Sequence, residues 1–293
     1  MSIFSELSST TRAIAAKVGP SVVSVGRNRR GAGIVVAAGQ VLTNAHNLRD
    51  RTTQLTFADG RALQATIAGI DVDGDLAVLT VDTASAPPIE WAATDTAAGD
   101  VVFAVAPNRT GVRVTMGLVT TTGRPFRGPR GRRIDASIEH AAPLARGSSG
   151  GPLVDPEGRL VGVNTHRLGD GFSLALPASA QLRQQVERLA RGESPERRRL
   201  GIAVASAQLT RRLRRAVGLA DVGGLLVRGV EAGSPAERAG VQEGDVIVAA
   251  GGAPIDSTDA LFAALDTTAL SLDLTVVRGT EQRVVTVHFA PEH

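Results

Sequence analysis

The chain has 293 residues, and at roughly 100–200 residues per domain that is enough for about two domains. It is 43% hydrophobic and 21% charged, the balance of an ordinary folded protein, and its net charge of +3 with both signs interspersed argues against a nucleic-acid-binding role. The absence of cysteine excludes disulfides, thiol catalysis and cysteine-ligated zinc.

Residues 1–20 form an N-terminal segment. It lacks a basic start followed by an apolar run, so no signal peptide is expected. No apolar stretch approaches the roughly 18 residues of a membrane span, so the chain as given reads as cytoplasmic while its compartment stays unassigned. From Ser21 to Pro177 the sequence is a series of short runs rich in Val, Ile, Leu and Thr, such as "SVVSVG", "GIVVAA", "QVLTNA", "LAVLTV", "DVVFAVA" and "RLVGVNT". Gly, Asp, Asn or Pro separates most of them. Short strands at this spacing without helical periodicity predict an all-β barrel or sandwich, and the length predicts two stacked barrels. Aromatic residues are scarce (Phe 7, Trp 1, Tyr 0), so aliphatic side chains must fill the core.

The texture then changes. "ASAQLRQQVERLARGES" places Leu182, Val186 and Leu189 at i, i+4 and i+7 with Gly192 just beyond, the pattern of an amphipathic helix. This closes a first domain over 21–192. A charged linker, 193–199, contains "SPERRR". Residues 200–291 predict an α+β module. It opens with the strand "LGIAVA" and the helix "SAQLTRRLRRAVG". A further helix starts at Ser234 and Pro235, "DVIVAAGG" is a strand, and another helix is capped near Ser257 or Thr258. "LDLTVVRG" and "RVVTVHF" end the module as strands. Two arginine clusters, Arg124–Arg133 and Arg188–Arg199, read as a solvated loop and a solvated linker, with no interleaved aromatics on which bases would stack.

One stretch carries chemistry. "LARGSSGGPLVD" sets Ser148 and Ser149 among glycines. A serine hydroxyl is a weak nucleophile without a base. Five histidines are available. His293 is terminal and His288 lies in the last strand, whereas His46, His140 and His166 are not excluded by position. His46 stands at the end of an apolar strand, in "VLTNAHNL". An orienting carboxylate is offered by Asp71, Asp73 and Asp75 in "IDVDGDLAVLTV". Asp75 enters an apolar run directly, where a carboxylate requires a donor. A calcium loop is excluded because Thr80 stands where the loop's closing glutamate belongs.

"TNAH", "DLAVL" and "GSSGGP" occur in the order His, Asp, Ser inside one β region, and "GSPAERAGVQEGDVIVAAGGAPI" follows in the second module. Together these resemble the HtrA (DegP/DegQ) family of trypsin-like serine proteases, and the resemblance covers nearly the whole chain. It implies a mainly β, chymotrypsin-like double barrel followed by a small α+β PDZ domain. It assigns His46 as general base, Asp75 as its orienting partner and Ser149 as nucleophile. It implies an oxyanion hole from the backbone of Gly147, Ser148 and Ser149. It puts the specificity pocket at Leu144, Gly171, Phe172 and Ser173, whose apolar wall implies cleavage after small or medium aliphatic residues, with Asp170 the nearest acid. In the PDZ domain, "RLGI" (Arg199, Leu200, Gly201 and Ile202) is the implied carboxylate loop for peptide C-termini.

The implied activity is ATP-independent hydrolysis of unfolded or damaged proteins, with no cofactor, no metal and no nucleic acid. The alternative is an inert PDZ scaffold or chaperone, against which the complete His46–Asp75–Ser149 set argues. The family's Asn before the nucleophile is Ser148 here, and the Asp of its "TDA" stretch is matched by Ala141. The "TTGRPFRGPRGRR" loop, with five arginines, matches the family's sensor region and is expected to be flexible. A homotrimer is implied by analogy, although Phe4 is the only aromatic in the N-terminal segment that would build it.

Overall fold

The structure is a computed structural model that describes residues 2–49, 52–93, 95–128, 131–195, 198–268 and 270–289. His293 lies outside the described residues. The chain divides into two compact units, Met1–Pro195 and Glu196–His293.

The first unit opens with α1 (Ile3–Val18). The side chain of Ser2 caps it by accepting from Phe4 N, and Ile14 and Val18 are its buried residues. Pro20, with no N–H to offer, follows the end of the helix. Six strands then close a barrel: β1 (Val22–Val25), β2 (Gly31–Ala37), β3 (Gln40–Thr43), β4 (Thr52–Thr56), β5 (Ala62–Asp71) and β6 (Leu76–Thr80). Their order around the barrel is β1-β2-β3-β6-β5-β4.

A second barrel follows, formed by β7 (Val101–Asn108), β8 (Gly111–Thr122), β11 (Ile138–His140), β12 (Pro152–Val154), β13 (Leu160–Arg167) and β14 (Ser173–Pro177) in the order β11-β14-β13-β12-β7-β8. Between β8 and β11 stands a small hairpin, β9 (Phe126–Arg127) and β10 (Arg133–Ile134). The two-barrel expectation is thus met.

The continuous apolar runs have a structural reason: several strands are buried on both faces. In β2, Ile34 points into a cluster shared by both barrels, while Val35 points into the interior of the first barrel. The shared cluster joins Ile34, Leu42 and Leu76 to Phe103, Val163 and Leu176 across the two barrels. The helix α2 (Ala180–Ala190), capped by the Ser179 side chain, buries Leu182, Val186 and Leu189 in the same cluster. The chain therefore returns from the second barrel to brace the first. Gly69 on β5 permits that approach, since a Cβ there would stand 2.4 Å from the Leu189 carbonyl oxygen.

The second unit has its own core, which includes Leu225, Ile247, Leu274 and Val287. Its elements are β15 (Ile202–Ala205), α3 (Ala207–Ala216), β16 (Leu225–Val230), α4 (Pro235–Arg238), β17 (Val246–Ala250), β18 (Ala253–Pro254), α5 (Thr258–Thr267), β19 (Ser271–Arg278) and β20 (Glu281–His288). The sheet runs β15-β16-β17-β19-β20, with β18 paired to β17, so β15 lies at an edge. The predicted helices at Ser234 and Ser257 are both present and capped by those serines.

Candidate active site

His46 sits on a single turn of 3-10 helix, Ala45–Asn47, directly after β3. Asp75 ends the turn between β5 and β6, in a left-handed conformation at φ +57°. Ser149 lies in the loop between β11 and β12. The first barrel thus supplies the imidazole and the carboxylate, and the second supplies the hydroxyl.

Asp75 is fully buried and well provided with donors. His46 Nδ1 lies 2.9 Å from Oδ1 and 2.8 Å from Oδ2, and the His46 backbone N–H donates to Oδ1 at 3.1 Å. Thr165 Oγ1 donates to Oδ2 at 2.8 Å. Beneath them, Asn44 Nδ2 donates to the Asp75 carbonyl at 2.9 Å and fixes the strained backbone. A carboxylate accepts, so Nδ1 must carry the imidazole hydrogen, and the lone pair of the neutral ring is at Nε2. About a third of the His46 side chain (31%) is open to solvent while Asp75 is closed off.

The Ser149 hydroxyl donates to the Thr165 carbonyl at 2.9 Å. Thr165 therefore touches both ends of the set, through its hydroxyl at Asp75 and its carbonyl at Ser149. The Ser149 carbonyl accepts from Ala32 N at 2.8 Å and from Asn47 Nδ2 at 2.8 Å, which ties the Ser149 loop to the first barrel. Gly147 and Gly150 have φ of +82° and +86°, and a Cβ at either would stand within 2.4 Å of a backbone carbonyl, Arg29 O or Ala32 O respectively. These two positions require glycine on both counts.

Among the described residues, the N–H groups of Gly147 and Ser149 donate to no protein acceptor. The Ser148 N–H is engaged with Ala145 O at 3.3 Å. Of the three backbone groups expected to form an oxyanion hole, Ser148 is therefore the one already committed within its own turn.

The remaining candidates fall elsewhere. His140 is fully buried, with Nε2 3.0 Å from Asn164 Oδ1, and burial pushes its imidazole down to about 4 against a partial opposing effect of that bond. Asn164 in turn donates to the carbonyls of Gly151 and Pro152, both at 3.1 Å, and so holds the far side of the Ser149 loop. His166 meets the His46 ring edge-on, with centroids 6.3 Å apart. His288 is exposed on β20. Asp71 accepts from Gln185 on α2 at 2.6 Å, and Asp73 pairs with Arg132 at 3.3 Å.

A cavity of about 320 Å³ opens beside Ser149, and Leu144 lines it. Gly171, Phe172 and Ser173 do not. Ser173 is buried in β14, paired with His140 and Arg167, and the turn before it carries Gly171 and the part-exposed Phe172. The expected flexible arginine loop is in its described part a hairpin anchored by ion pairs: Arg124 to Glu139 at 2.6 Å and Arg132 to Asp73. In the second unit, Leu200 is buried and its carbonyl accepts from Ala236 N at 3.0 Å. Gly201 has φ +76°, Arg199 reaches Glu231 at 3.4 Å, and Ile202 begins the edge strand.

The residues that sequence reasoning missed are Thr165, Asn44, Asn47 and Asn164. Their signal was faint: a polar residue inside an apolar run, as in "GVNTHR" and "LTNAHN".

Comparison with known proteins agrees with the fold of both units. Residues 31–163 match the Trypsin-like peptidase domain family and residues 226–278 match the PDZ domain family. "Serine protease HTRA4" of Mus musculus is 33% identical over 94% of this chain, and this chain spans 62% of that relative's length. "Putative serine protease HhoA" of Synechocystis sp. is 33% identical over 90% of this chain and 72% of its own length. The solved structure "HtrA-type protease AlgW with tripeptide" superposes with a TM-score of 0.58 at 27% identity, over 96% of this chain and 98% of that one.

Proposed function

The chain belongs to the HtrA family of serine proteases, and on that premise we propose that it is a serine endopeptidase whose chemistry is carried by His46, Asp75 and Ser149. One observation carries the reading. A buried carboxylate holds the imidazole of His46 through Nδ1, and Asn47, the next residue, donates to the Ser149 carbonyl.

The Ser149 hydroxyl turns from the Thr165 carbonyl toward His46 Nε2 as substrate enters, since such contacts tighten only in the substrate complex. Oγ attacks the scissile carbonyl carbon while Nε2 takes its proton. The negative charge that develops on the carbonyl oxygen is met by the N–H groups of Gly147 and Ser149, each such donor being worth about 2.7–4 kcal/mol in comparable sites. The C–N bond breaks as His46 returns the proton to the leaving amine. Water, activated by the same imidazole, then hydrolyses the Ser149 ester. Asp75 keeps its charge throughout and stabilises the imidazolium.

Substrates of this reading are unfolded or damaged polypeptides, cleaved after small or medium aliphatic residues. Leu144 supports that preference from the cavity, and Phe172 would contribute only after the β13–β14 turn moves. Arg199 to Ile202 would capture a peptide C-terminus, with the peptide adding as a strand to the β15 edge. Exposed Ile3 and Phe4 support a contact between copies in a homotrimer, which sedimentation equilibrium would read directly. No described helix is long and apolar enough to cross a membrane.

The test is digestion of unfolded casein by the wild type and by Ser149→Ala, with a fluorophosphonate probe alongside. Cleavage and labelling by the wild type alone support the reading. Neither cleavage nor labelling would leave the inert PDZ scaffold as the better account. Peptides ending in a free apolar carboxylate, added to the same digest, report whether the second unit stimulates cleavage.

A further inference from the structure

The cavity beside Ser149 has a composition that the peptide-bond chemistry does not require. Alongside Leu144 and Ser149 it is lined by Arg29, Arg30, Arg146 and Arg167, and no acidic residue lines it. The four arginines come from three separate segments: the turn between β1 and β2, the nucleophile loop, and the end of β13. All four are exposed, and none has an ion-pair partner among the described residues. Some arginines elsewhere in the first unit find carboxylates, as Arg61 does with Asp59 and Arg159 with Asp155, and others, such as Arg109 and Arg113, have no ion pair among the described residues either, so it is the gathering of four at one cleft without an acid that sets this site apart. Nor are carboxylates in short supply, with 29 acidic residues against 32 basic ones.

The scaffold fixes these cations relative to the nucleophile. Arg29 stands in the left-handed region at φ +49°, and its carbonyl is packed against Gly147 so closely that a Cβ there would stand 2.4 Å away. One residue beyond Arg30 and Gly31, Ala32 N holds the Ser149 carbonyl at 2.8 Å. Like charges gathered at one cleft repel one another. A cleft lined by one sign of charge focuses its field and concentrates the opposite sign. Guanidinium groups also present forked donors that match a carboxylate.

We propose that this cleft is an acidic-residue subsite: the enzyme prefers polypeptides that carry Asp or Glu within a few residues of the scissile bond. The proposal rests on the endopeptidase reading above. It adds a second determinant to the aliphatic residue at the cleaved position. Two exposed ion pairs engaged together give a preference of up to roughly tenfold in kcat/KM at low salt. Screening should reduce that preference to about threefold or less at 0.5 M salt.

The experiment uses internally quenched peptides with one aliphatic core and flanks of Asp/Glu, of Asn/Gln, or of Lys. The full chain is assayed at 25 mM and 500 mM NaCl. The expected order is acidic above amide above Lys, with the gap closing at high salt. In the quadruple Arg29→Gln, Arg30→Gln, Arg146→Gln, Arg167→Gln variant the acidic-to-amide ratio falls to about one. Should that variant not fold, the salt dependence of the wild-type ratio decides alone. Equal cleavage of acidic and amide peptides by an enzyme that labels with fluorophosphonate overturns the subsite and spares the endopeptidase. No cleavage together with no labelling overturns both.

Discussion

Replacing Thr165 by Val removes one hydroxyl from the most enclosed part of the site and leaves the side-chain shape nearly unchanged. Thr165 is buried, and its Oγ1 donates to Asp75 Oδ2 at 2.8 Å. A hydrogen bond to a charged group is worth about 1.5–3 kcal/mol. Asp75 would keep both donors of His46, so it is weakened and not orphaned, and we expect a cost of about 2 kcal/mol. In a unit of this size each kcal/mol lowers Tm by about 2–4 °C, so the first unfolding transition should fall by roughly 4–8 °C. The backbone carbonyl that receives Ser149 is untouched, so the resting place of the hydroxyl is preserved. What changes is how firmly the carboxylate aims the imidazole. We expect kcat to drop about tenfold with KM within twofold, because 1.4 kcal/mol of the loss is then felt only in the transition state. Scanning calorimetry and steady-state cleavage of a quenched peptide measure the two quantities. Thr165→Ser, which retains the hydroxyl, should recover most of both. A valine variant within 1 °C and twofold of wild type would refute the idea that Thr165 holds Asp75.

Three further outcomes follow from the same geometry. Asp75→Asn leaves the fold intact but no longer demands the Nδ1 hydrogen, and kcat should fall by roughly four orders of magnitude, as in other enzymes of this type. The buried His140, held down to about 4, refuses a proton that the unfolded chain accepts below about pH 6.5. Stability should therefore decline as pH falls from about 6.5 to about 4, by up to roughly 3 kcal/mol, and urea midpoints across that range should fall less steeply in His140→Gln. Identical slopes would show that His140 is not the group responsible. Gly150→Ala should cost several kcal/mol and abolish cleavage, since its Cβ meets the Ala32 carbonyl at 2.2 Å. Gly123→Ala is equally left-handed but opens onto free space, and should cost only about 1 kcal/mol by thermal melt.

How far the sequence could be read depended on whether the determining contacts were local. The strands between Ser21 and Pro177 were legible because burial on both faces makes them unbroken apolar runs, and α2 because Leu182, Val186 and Leu189 keep helical spacing. The helix α1 was not. Its apolar residues are mixed with Ser and Thr, only Ile14 and Val18 are buried, and the surface that covers them is supplied by the barrels. His46, Asp75 and Ser149 are singled out by short local motifs, but the groups that hold them are not. Asn47 and Ser149 are 102 positions apart, and Thr165 and Asp75 are 90 apart, so neither pairing leaves a local pattern.

Charge shows the same division most sharply. Arg132 and Arg167 each have an Asp three residues on, Asp135 and Asp170, so the local sequence does not tell their partners apart. The fold brings Asp73 to the first and, among the described residues, no carboxylate to the second, and sets the second in the cavity beside Ser149. An arginine's role is thus decided by which acids the topology carries to it. Four arginines without an acid among the described residues line the cavity beside Ser149, where a peptide would bring its own.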